Sequence, residues 1–417
     1  MTGLGATFDP AGAVGAVGAG GAGGVGAARA SALAGTRDRW RMSLEGRALV
    51  LVTAILLSVG LAVLFSASAL VAVAKDQPGH YYVLRQATGA LVGILAFAVL
   101  AKIDAERWRQ LAWPLMLLSI LLMIAVLFTG TVNGSRRHLF GGSLQPSEFA
   151  KFAILVWTPM LLVKKGEVVR RVGKGLMPFA VVIGTLSVLA ILEPDYSVAM
   201  MFCLLTAVLL FVGGARIAHF VMFGALGLAL VSFQLSQSPY VRERIRSFME
   251  GEQASSERKS PTGDQQYQSF VAVGSGGLLG VGFGQGNQQR GWLPLAQSDF
   301  IGSIVGEEFG FVGLAGITVL FALYGWIGFR IARNARSPFL TLVAVGLTFT
   351  TVFTAFIHLG VVIGLLPNTG LTLPFVSYGR SNLVLTLAMT GMLVNIGSER
   401  ERVYGVAATD PLLAPRT

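Results

Sequence analysis

The sequence predicts an all-α integral membrane protein with about ten transmembrane helices and a large extracytoplasmic loop between helices 7 and 8. Two observations lead to this fold class. Hydrophobic residues make up 53% of the 417 residues and charged residues only 13%, a balance unlike that of a soluble globular protein. The chain also contains about ten apolar runs, each near the roughly 20 residues that a helix needs to cross a bilayer core.

The apolar runs set the order of the predicted helices along the chain. Their approximate spans are 49–71, 83–101, 111–130, 147–163, 176–192, 197–213, 217–235, 300–328, 339–364 and 381–397. In the eighth run, Gly302, Gly306 and Gly310 are spaced four residues apart, a pattern that lets helix backbones approach closely. We assign this pattern to packing. The single Cys203 lies in the sixth run, which excludes an intramolecular disulfide.

The segments around the predicted membrane domain, residues 47–398, have a different composition. Residues 1–46 are Gly/Ala-rich with a basic end and predict a disordered cytoplasmic tail, and residues 399–417 predict a cytoplasmic C-terminal tail. The large loop at 236–298 has a linker-like middle, followed by the glycine-rich "YQSFVAVGSGGLLGVGFG" of residues 267–284. We expect this apolar part to pack on or dip into the membrane domain.

The net charge of +11 is carried mainly by short loops between apolar runs, which favours membrane topology over nucleic-acid binding as its explanation. The loops satisfy the positive-inside rule when both termini are cytoplasmic. Four polar segments then lie together at the outer face: Asn133–Lys151, Glu193–Ser197, the stretch around Asp299, and Leu365–Asn382. We therefore expect the functional site at this face.

Three carboxylates lie at or inside the eighth run, in "LPLAQSDFIGSIVGEEFG". Asp299 reads either as a helix cap or as a general base, since a helix N-terminus favours the ionised carboxylate that a base requires. Glu307 and Glu308 lie roughly 12 Å deeper along the helix. Charges at that depth are paired or functional, so catalysis and an ion pair with a cation of residues 133–151 are both open.

The cations Arg136, Arg137 and Lys151 are predicted to lie outside, where the positive-inside rule disfavours them. Because arginine and lysine match phosphate oxygens, one interpretation is a binding site for a lipid diphosphate. The alternative is that these cations neutralise three carboxylates: Glu148, Asp195 and Glu307. No histidine or cysteine spacing typical of a zinc site and no phosphate-binding loop of a nucleotide hydrolase is present in the sequence.

Taken together, the sequence resembles the FtsW/RodA family, the SEDS proteins of bacterial cell-wall synthesis, from about Leu64 to Gly397. The matching pieces are "LFSAS", "YVLRQ", "GSRRH" followed by "QPSEFAK", "EPD", "YQSFVAVGSGGLLGVGFG", "LPLAQSDFI" with "GEEFGFVG", and "GLLPNTGLTLPFVSYG". The piece "GLTLPF" is more similar to the division member FtsW than to the elongation member RodA.

The resemblance implies a ten-helix glycosyltransferase that polymerises lipid II in the bacterial cytoplasmic (inner) membrane, at the division septum. It implies a class B penicillin-binding protein and other divisome proteins as partners, besides membrane lipid. Activity would depend on Asp299 as base for the acceptor hydroxyl. The substrate cavity would be lined by Arg136, Arg137, Gln145, Ser147, Glu148 and Lys151. Supporting roles would fall to Glu193, Asp195, Glu307, Glu308 and Ser377.

The chain departs from the family pattern at several positions. Residues 295, 297 and 298 are Leu, Gln and Ser where the family usually has Glu, His and Thr, and residues 196–198 after "EPD" also differ. Arg380 replaces a glycine and adds a cation, which we expect to share the diphosphate contact. A divalent cation, Mg²⁺ or Mn²⁺, could assist there, although no metal motif is legible. The alternatives are a lipid II flippase or transporter, an elongation-type polymerase, and a non-catalytic scaffold.

Overall fold

The computed structural model describes residues 37–129, 137–139, 144–237, 242 and 261–403. The chain divides into two compact units, one spanning Met42–Ser398 and one combining the two chain ends. The larger unit is built from helices, which we number α1 (Leu44–Val73), α2 (Tyr81–Lys102), α3 (Trp108–Leu127), α4 (Pro146–Lys165), α5 (Met177–Leu192), α6 (Tyr196–Val212), α7 (Ile217–Gln237), α8 (Pro261–Gly276), α9 (Ile301–Arg333), α10 (Pro338–Val362) and α11 (Arg380–Ile396).

A helix lies at each of the ten predicted apolar runs, and α8 lies inside the predicted large loop. Among the described residues, six helical segments are long and apolar enough to cross a membrane: those of α1, α2, α3, α5, α9 and α10. The protein is therefore a multi-pass membrane protein of the predicted all-helical class. The number of ten crossings and the side on which the large loop lies stay predictions.

Helix α4 is the central helix of the larger unit. Every residue from Pro146 to Leu162 is buried except Phe149, and Trp157 has no exposed surface. Helices α3, α6, α10 and α11 pack around it. This burial places the polar start of α4, which carries Ser147, Glu148 and Lys151, inside the protein rather than in lipid.

Polar side chains start several helices and tie their ends together. The hydroxyl of Ser43 accepts a hydrogen bond from the Gly46 N–H at the start of α1, as expected of an N-cap serine. At the end of the bundle away from Asp299, three further contacts join α9, the α9–α10 connection and α11 to earlier segments: Arg330 with Glu45 (3.0 Å), Arg336 with Asp104, and Asn395 with the Ala101 carbonyl (2.6 Å).

The smaller unit contains a two-stranded antiparallel sheet in the segments predicted as tails. Strand β1 (Arg37–Arg41) pairs with β2 (Glu399–Val403), with Arg39 opposite Glu401. The expectation of a disordered tail is therefore wrong for residues 37–41, because the pairing partner lies at the other end of the chain and leaves no local signal. The rest of both tails, residues 1–36 and 404–417, lies outside the described residues.

Candidate functional site at one end of the helix bundle

Helix α9 is interrupted at Gly310, which has φ 64° and ψ −157°. The interruption leaves backbone groups on both sides without helical partners. Residues 277–290, which we call the strap, satisfy them through four backbone hydrogen bonds: Val281 N–H to Glu307 O (2.9 Å), Gly282 N–H to Glu308 O (3.0 Å), Phe311 N–H to Gly277 O (2.9 Å) and Val312 N–H to Leu278 O (3.2 Å). The glycine-rich part of the predicted loop therefore packs on α9.

Glycines allow this close approach. Gly280 has φ 82°, and a Cβ atom there would collide with the carbonyl group of Glu308. The prediction that the glycines of α9 serve helix packing is confirmed for two of the three. Gly302 faces α10 and Gly306 faces α8, which agrees with packing, whereas Gly310 is the break itself. Only glycine readily adopts that backbone conformation.

Glu307 and Glu308 are both buried and hold the strap by its backbone. A carboxylate oxygen of Glu307 accepts hydrogen bonds from the N–H of Asn287 (2.7 Å) and that of Gln288 (3.3 Å). Glu308 accepts from the Gly284 N–H (3.1 Å) and from the hydroxyl of Ser66 on α1. Both residues thus fasten the strap to α9.

The predicted ion pair of Glu307 and Glu308 with a cation of residues 133–151 is not formed with the cations that the structure describes. Lys151 pairs with Glu148 and Arg137 with Asp195. Arg136 lies outside the described residues. Neutral backbone N–H groups supply the compensation instead, and a glycine-rich segment gives no charge pattern from which this could be read.

Asp299 is half-buried in the turn that precedes α9, and its N–H donates to the Leu295 carbonyl (3.1 Å). The N-cap residue of α9 is Phe300, so the interpretation of Asp299 as the helix cap is wrong. A histidine of α10 assists the helix start. The Gly302 N–H donates to Nε2 of His358 (3.3 Å).

The structure thereby assigns a role to His358, which the sequence left unassigned. Its Nδ1 contacts the Leu371 carbonyl at 2.9 Å, and since a carbonyl only accepts, Nδ1 carries the hydrogen. Nε2 is then free of hydrogen and accepts from Gly302. His358 joins the start of α9 to the segment between α10 and α11.

That segment also fixes the residues immediately before Asp299. The hydroxyl of Ser377 donates to the Ser298 carbonyl (2.7 Å), and the Tyr378 N–H donates to the Gln297 carbonyl (2.9 Å). Ser377 was predicted to support the site, and its contact lies one residue from Asp299. The turn of residues 373–379 therefore determines where Asp299 is held.

Of the cations Arg136, Arg137 and Lys151, the last two lie in the described part of the chain, and each contacts a carboxylate. Lys151 Nζ is 2.7 Å from Glu148 Oε1, and both residues are more than nine-tenths buried. Arg137 Nε is 3.7 Å from Asp195 Oδ2 and donates to the Glu193 carbonyl at 3.3 Å. Unlike Lys151, the Arg137 side chain is 31% exposed, so an anion can still reach it.

Two titratable groups, Glu193 and His138, lie beside the ion pair of Arg137 with Asp195. Glu193 is fully buried, and its carboxyl group has no hydrogen-bond partner among the described residues. Burial, and to a smaller extent the charge of Asp195, raises the pKa of Glu193 to about 8, although Arg137 lowers it. Burial and the charge of Arg137 lower the pKa of His138, whereas the charge of Asp195 raises it. Glu193 is therefore mostly protonated and neutral near pH 7, and Asp195 is the carboxylate that Arg137 contacts.

The remaining predicted cavity residues lie where α4 meets α11. The Gln145 N–H donates to the hydroxyl of Ser381 at 3.1 Å, next to Arg380. The hydroxyl of Ser147 is buried with no hydrogen-bond partner in the described structure. Arg380 begins α11 and packs its side-chain stem on Gly89 of α2. The starts of α4, α9 and α11 thus meet at one end of the bundle, as the polar segments predicted.

Metal binding stays a prediction. Within the described ranges there is no group of three or more His, Cys, Asp or Glu side chains that could hold a metal ion. Glu193 and Asp195 lie in one turn, but Asp195 already contacts Arg137 and accepts from the Val198 N–H at 3.4 Å.

Comparison with known proteins gives consistent matches over most of the chain. Residues 47–402 match the family model of the FtsW/RodA/SpoVE cell cycle proteins. The chain is 35% identical over 369 residues to the probable peptidoglycan glycosyltransferase FtsW of Trichlorobacter lovleyi, covering 87% of this chain and 95% of that protein. It is 36% identical over 353 residues to the stage V sporulation protein E of Bacillus subtilis, covering 84% and 95%.

Solved structures show the same architecture. A chain from work on the structural coordination of polymerization and crosslinking by a peptidoglycan synthase complex matches with a TM-score of 0.69 and 28% identity, covering 84% of this chain and 96% of that one. The rod shape determining protein RodA of Thermus thermophilus matches with a TM-score of 0.61 and 27% identity, covering 84% and 95%.

Proposed function

This chain belongs to the FtsW/RodA/SpoVE family of cell cycle proteins, and from that premise we propose that it is a peptidoglycan glycosyltransferase. It polymerises lipid II into glycan strands at the outer face of the cytoplasmic membrane during cell division. The observation that carries the assignment is Asp299, held by its neighbours at the start of α9, at the end of the bundle where Arg137 is exposed. Relatives named FtsW support the division role.

In the proposed reaction, Asp299 takes the proton from the 4-hydroxyl of the acceptor N-acetylglucosamine. The freed oxygen attacks C1 of the donor N-acetylmuramic acid with inversion. The new bond joins that oxygen to C1, and the bond from C1 to the lipid diphosphate breaks. The diphosphate departs as an anion toward Arg137, whose guanidinium matches phosphate oxygens.

Two further predicted diphosphate contacts are those of Lys151 and Arg380. Lys151 is occupied by Glu148, so its contact would require that pair to open or to be shared. Arg380 begins α11 beside the turn that holds Asp299, a place that suits a second phosphate contact. Mg²⁺ or Mn²⁺ would stabilise the departing diphosphate if bound, but no step above depends on it.

A flippase would need polar groups along the depth of the membrane to guide a charged head group. In the described chain, Glu307 and Glu308 are the carboxylates deepest in α9, and both bind the strap rather than line an open path. This use of the buried charges favours the polymerase over the transporter.

A substitution at Asp299 tests the reaction. Asp299→Asn keeps the size of the side chain but removes the base, and we expect polymerisation of labelled lipid II by the purified protein to fall roughly 100-fold to 10,000-fold. Asp76→Asn is a matched control, since Asp76 is exposed in the α1–α2 connection and should keep the wild-type rate. A near-wild-type rate for a folded Asp299→Asn protein would refute the role of base.

We also propose a class B penicillin-binding protein and other divisome proteins as partners, a septal location, and cytoplasmic termini. Cysteine labelling tests the orientation. In a Cys203→Ser background, Trp292→Cys should react with an impermeant reagent from outside the cell, and Arg170→Cys only after the membrane is opened. Both positions are exposed. The reverse pattern would place the site on the wrong side of the membrane.

A further inference from the structure

The "YVLRQ" motif on α2 has no part in the reaction above, yet its Gln86 is 1% exposed and makes two hydrogen bonds. Its Nε2 donates to the Ser377 carbonyl at 3.0 Å, and its Oε1 accepts from the Gly379 N–H at 3.1 Å. One buried amide thus holds both ends of a three-residue turn. A buried side chain that uses both its donor and its acceptor on backbone groups fixes their position.

The same turn holds the residues before Asp299 on its other side. Ser377 donates its hydroxyl hydrogen to the Ser298 carbonyl, and the Tyr378 N–H binds the Gln297 carbonyl. The hydrogen bonds therefore run from α2 through the turn to the peptide groups that precede Asp299. No residue of this route other than its endpoint needs to touch substrate.

The residues that lead into this turn require such support because their backbone is strained. Phe375 is a bulky, buried residue with φ 65°, a conformation that such residues rarely adopt. Strain of this kind persists only where surrounding contacts determine the geometry, and it is concentrated at functional sites. Gln86 supplies two of those contacts, and the Leu373 N–H, which donates to the Ser377 hydroxyl at 2.8 Å, supplies another.

We propose that Gln86 is a positioning residue for the glycosyl transfer, and that it holds the general base Asp299 in register through the turn of residues 377–379. The proposal rests on the proposed function of Asp299. A general base must lie within hydrogen-bond reach of the hydroxyl that it deprotonates. A displacement of about 1 Å can cost roughly 100-fold in rate, so an anchor on α2 affects the chemistry without contacting the substrate.

Two substitutions separate positioning from stability, measured as kcat and KM for lipid II with the purified full-length protein. Gln86→Met removes both hydrogen bonds at similar volume, and we expect kcat to fall roughly tenfold to 100-fold with KM changed by less than about threefold. Gln266→Met is the matched control. Gln266 is also buried and donates to a backbone carbonyl, that of Leu366 at 3.4 Å, but it does not contact the turn.

Gln86→Glu gives a pH signature that a purely structural role would not produce. The protonated acid can donate to Ser377 and accept from Gly379 as the amide does, whereas the carboxylate can only accept. The ratio of variant kcat to wild-type kcat should therefore be highest at low pH and fall as the pH rises. The charged or titratable groups around Tyr378 of this turn are Arg85, Tyr81 and Tyr82 on α2 and Arg380 on α11. Asp299 follows Ser298, whose carbonyl the turn binds.

The outcomes are distinct from those that test the reaction itself. If Asp299→Asn is active, the proposed function fails. If Asp299→Asn is inactive while Gln86→Met keeps the wild-type kcat, or while the Gln86→Glu ratio does not change with pH, the positioning role alone is refuted. If both Gln86 variants fail to fold, as judged by thermal unfolding, Gln86 serves stability and the proposal is overturned.

Discussion

Replacing Lys151 by methionine should destabilise the protein by about 3–5 kcal/mol, because it leaves the carboxylate of Glu148 buried and unpaired. The two charged atoms are 2.7 Å apart, and both residues are more than nine-tenths buried. At an effective dielectric constant of about 20, their gross attraction is roughly 6 kcal/mol. The desolvation of two buried charges offsets most of this attraction, so the intact pair contributes little net stability. Removal of one partner is costly because the other charge then stays buried without compensation.

A double-mutant cycle measures this directly. The apparent free energy of unfolding in mixed micelles is compared for Lys151→Met, Glu148→Met and the double variant. We expect the double variant to be more stable than either single one, since it buries no unpaired charge. Lys164→Met, at the exposed far end of α4, should stay within about 0.5 kcal/mol of the wild type. Losses in the two single variants that add within about 0.5 kcal/mol would refute the reasoning.

The same variants test the diphosphate contact predicted for Lys151. If that contact exists, the double variant recovers its stability but still uses lipid II poorly, with a raised KM. If lipid II use recovers together with stability, the role of Lys151 is limited to the ion pair. The cycle thus separates the two interpretations that the sequence left open.

Two further predictions concern the strap and the Glu193 turn. Gly280→Ala should lower the free energy of unfolding by about 1–3 kcal/mol and reduce polymerisation, because φ at Gly280 is positive and a Cβ atom would collide with α9. Gly316→Ala is the control and should be neutral, since a Cβ atom there meets open space. Equal effects of the two variants in a thermal unfolding assay would contradict this prediction. Glu193 has a folded-state pKa of about 8, above its ordinary value of 4.5, so stability should fall as the pH rises between these values. Glu193→Gln cannot ionise and should flatten that dependence, and parallel stability curves for the variant and the wild type would contradict the prediction.

The sequence by itself determined the helical membrane architecture, the approximate place of the described helices at the predicted runs, and the clustering of polar segments at one end. It could do so because a bilayer demands long apolar helices whose backbone groups are satisfied within each segment. It also predicted that Glu307 and Glu308 need compensation, and one of its two interpretations paired the cations that include Lys151 with carboxylates that include Glu148. The i, i+3 spacing of the latter pair is a local signal.

Only the tertiary structure decided which groups meet across the chain. Backbone N–H groups of the strap, rather than the cations that the structure describes, donate hydrogen bonds to Glu307 and Glu308. His358 and Gln86 hold the start of α9 and the turn beside Asp299. The pairing of β1 with β2 is another contact between segments that are far apart in sequence. Hydrogen bonds between backbone groups far apart in sequence depend on a shared place in the fold. They leave no periodicity, charge pattern or spacing by which the sequence alone could predict them.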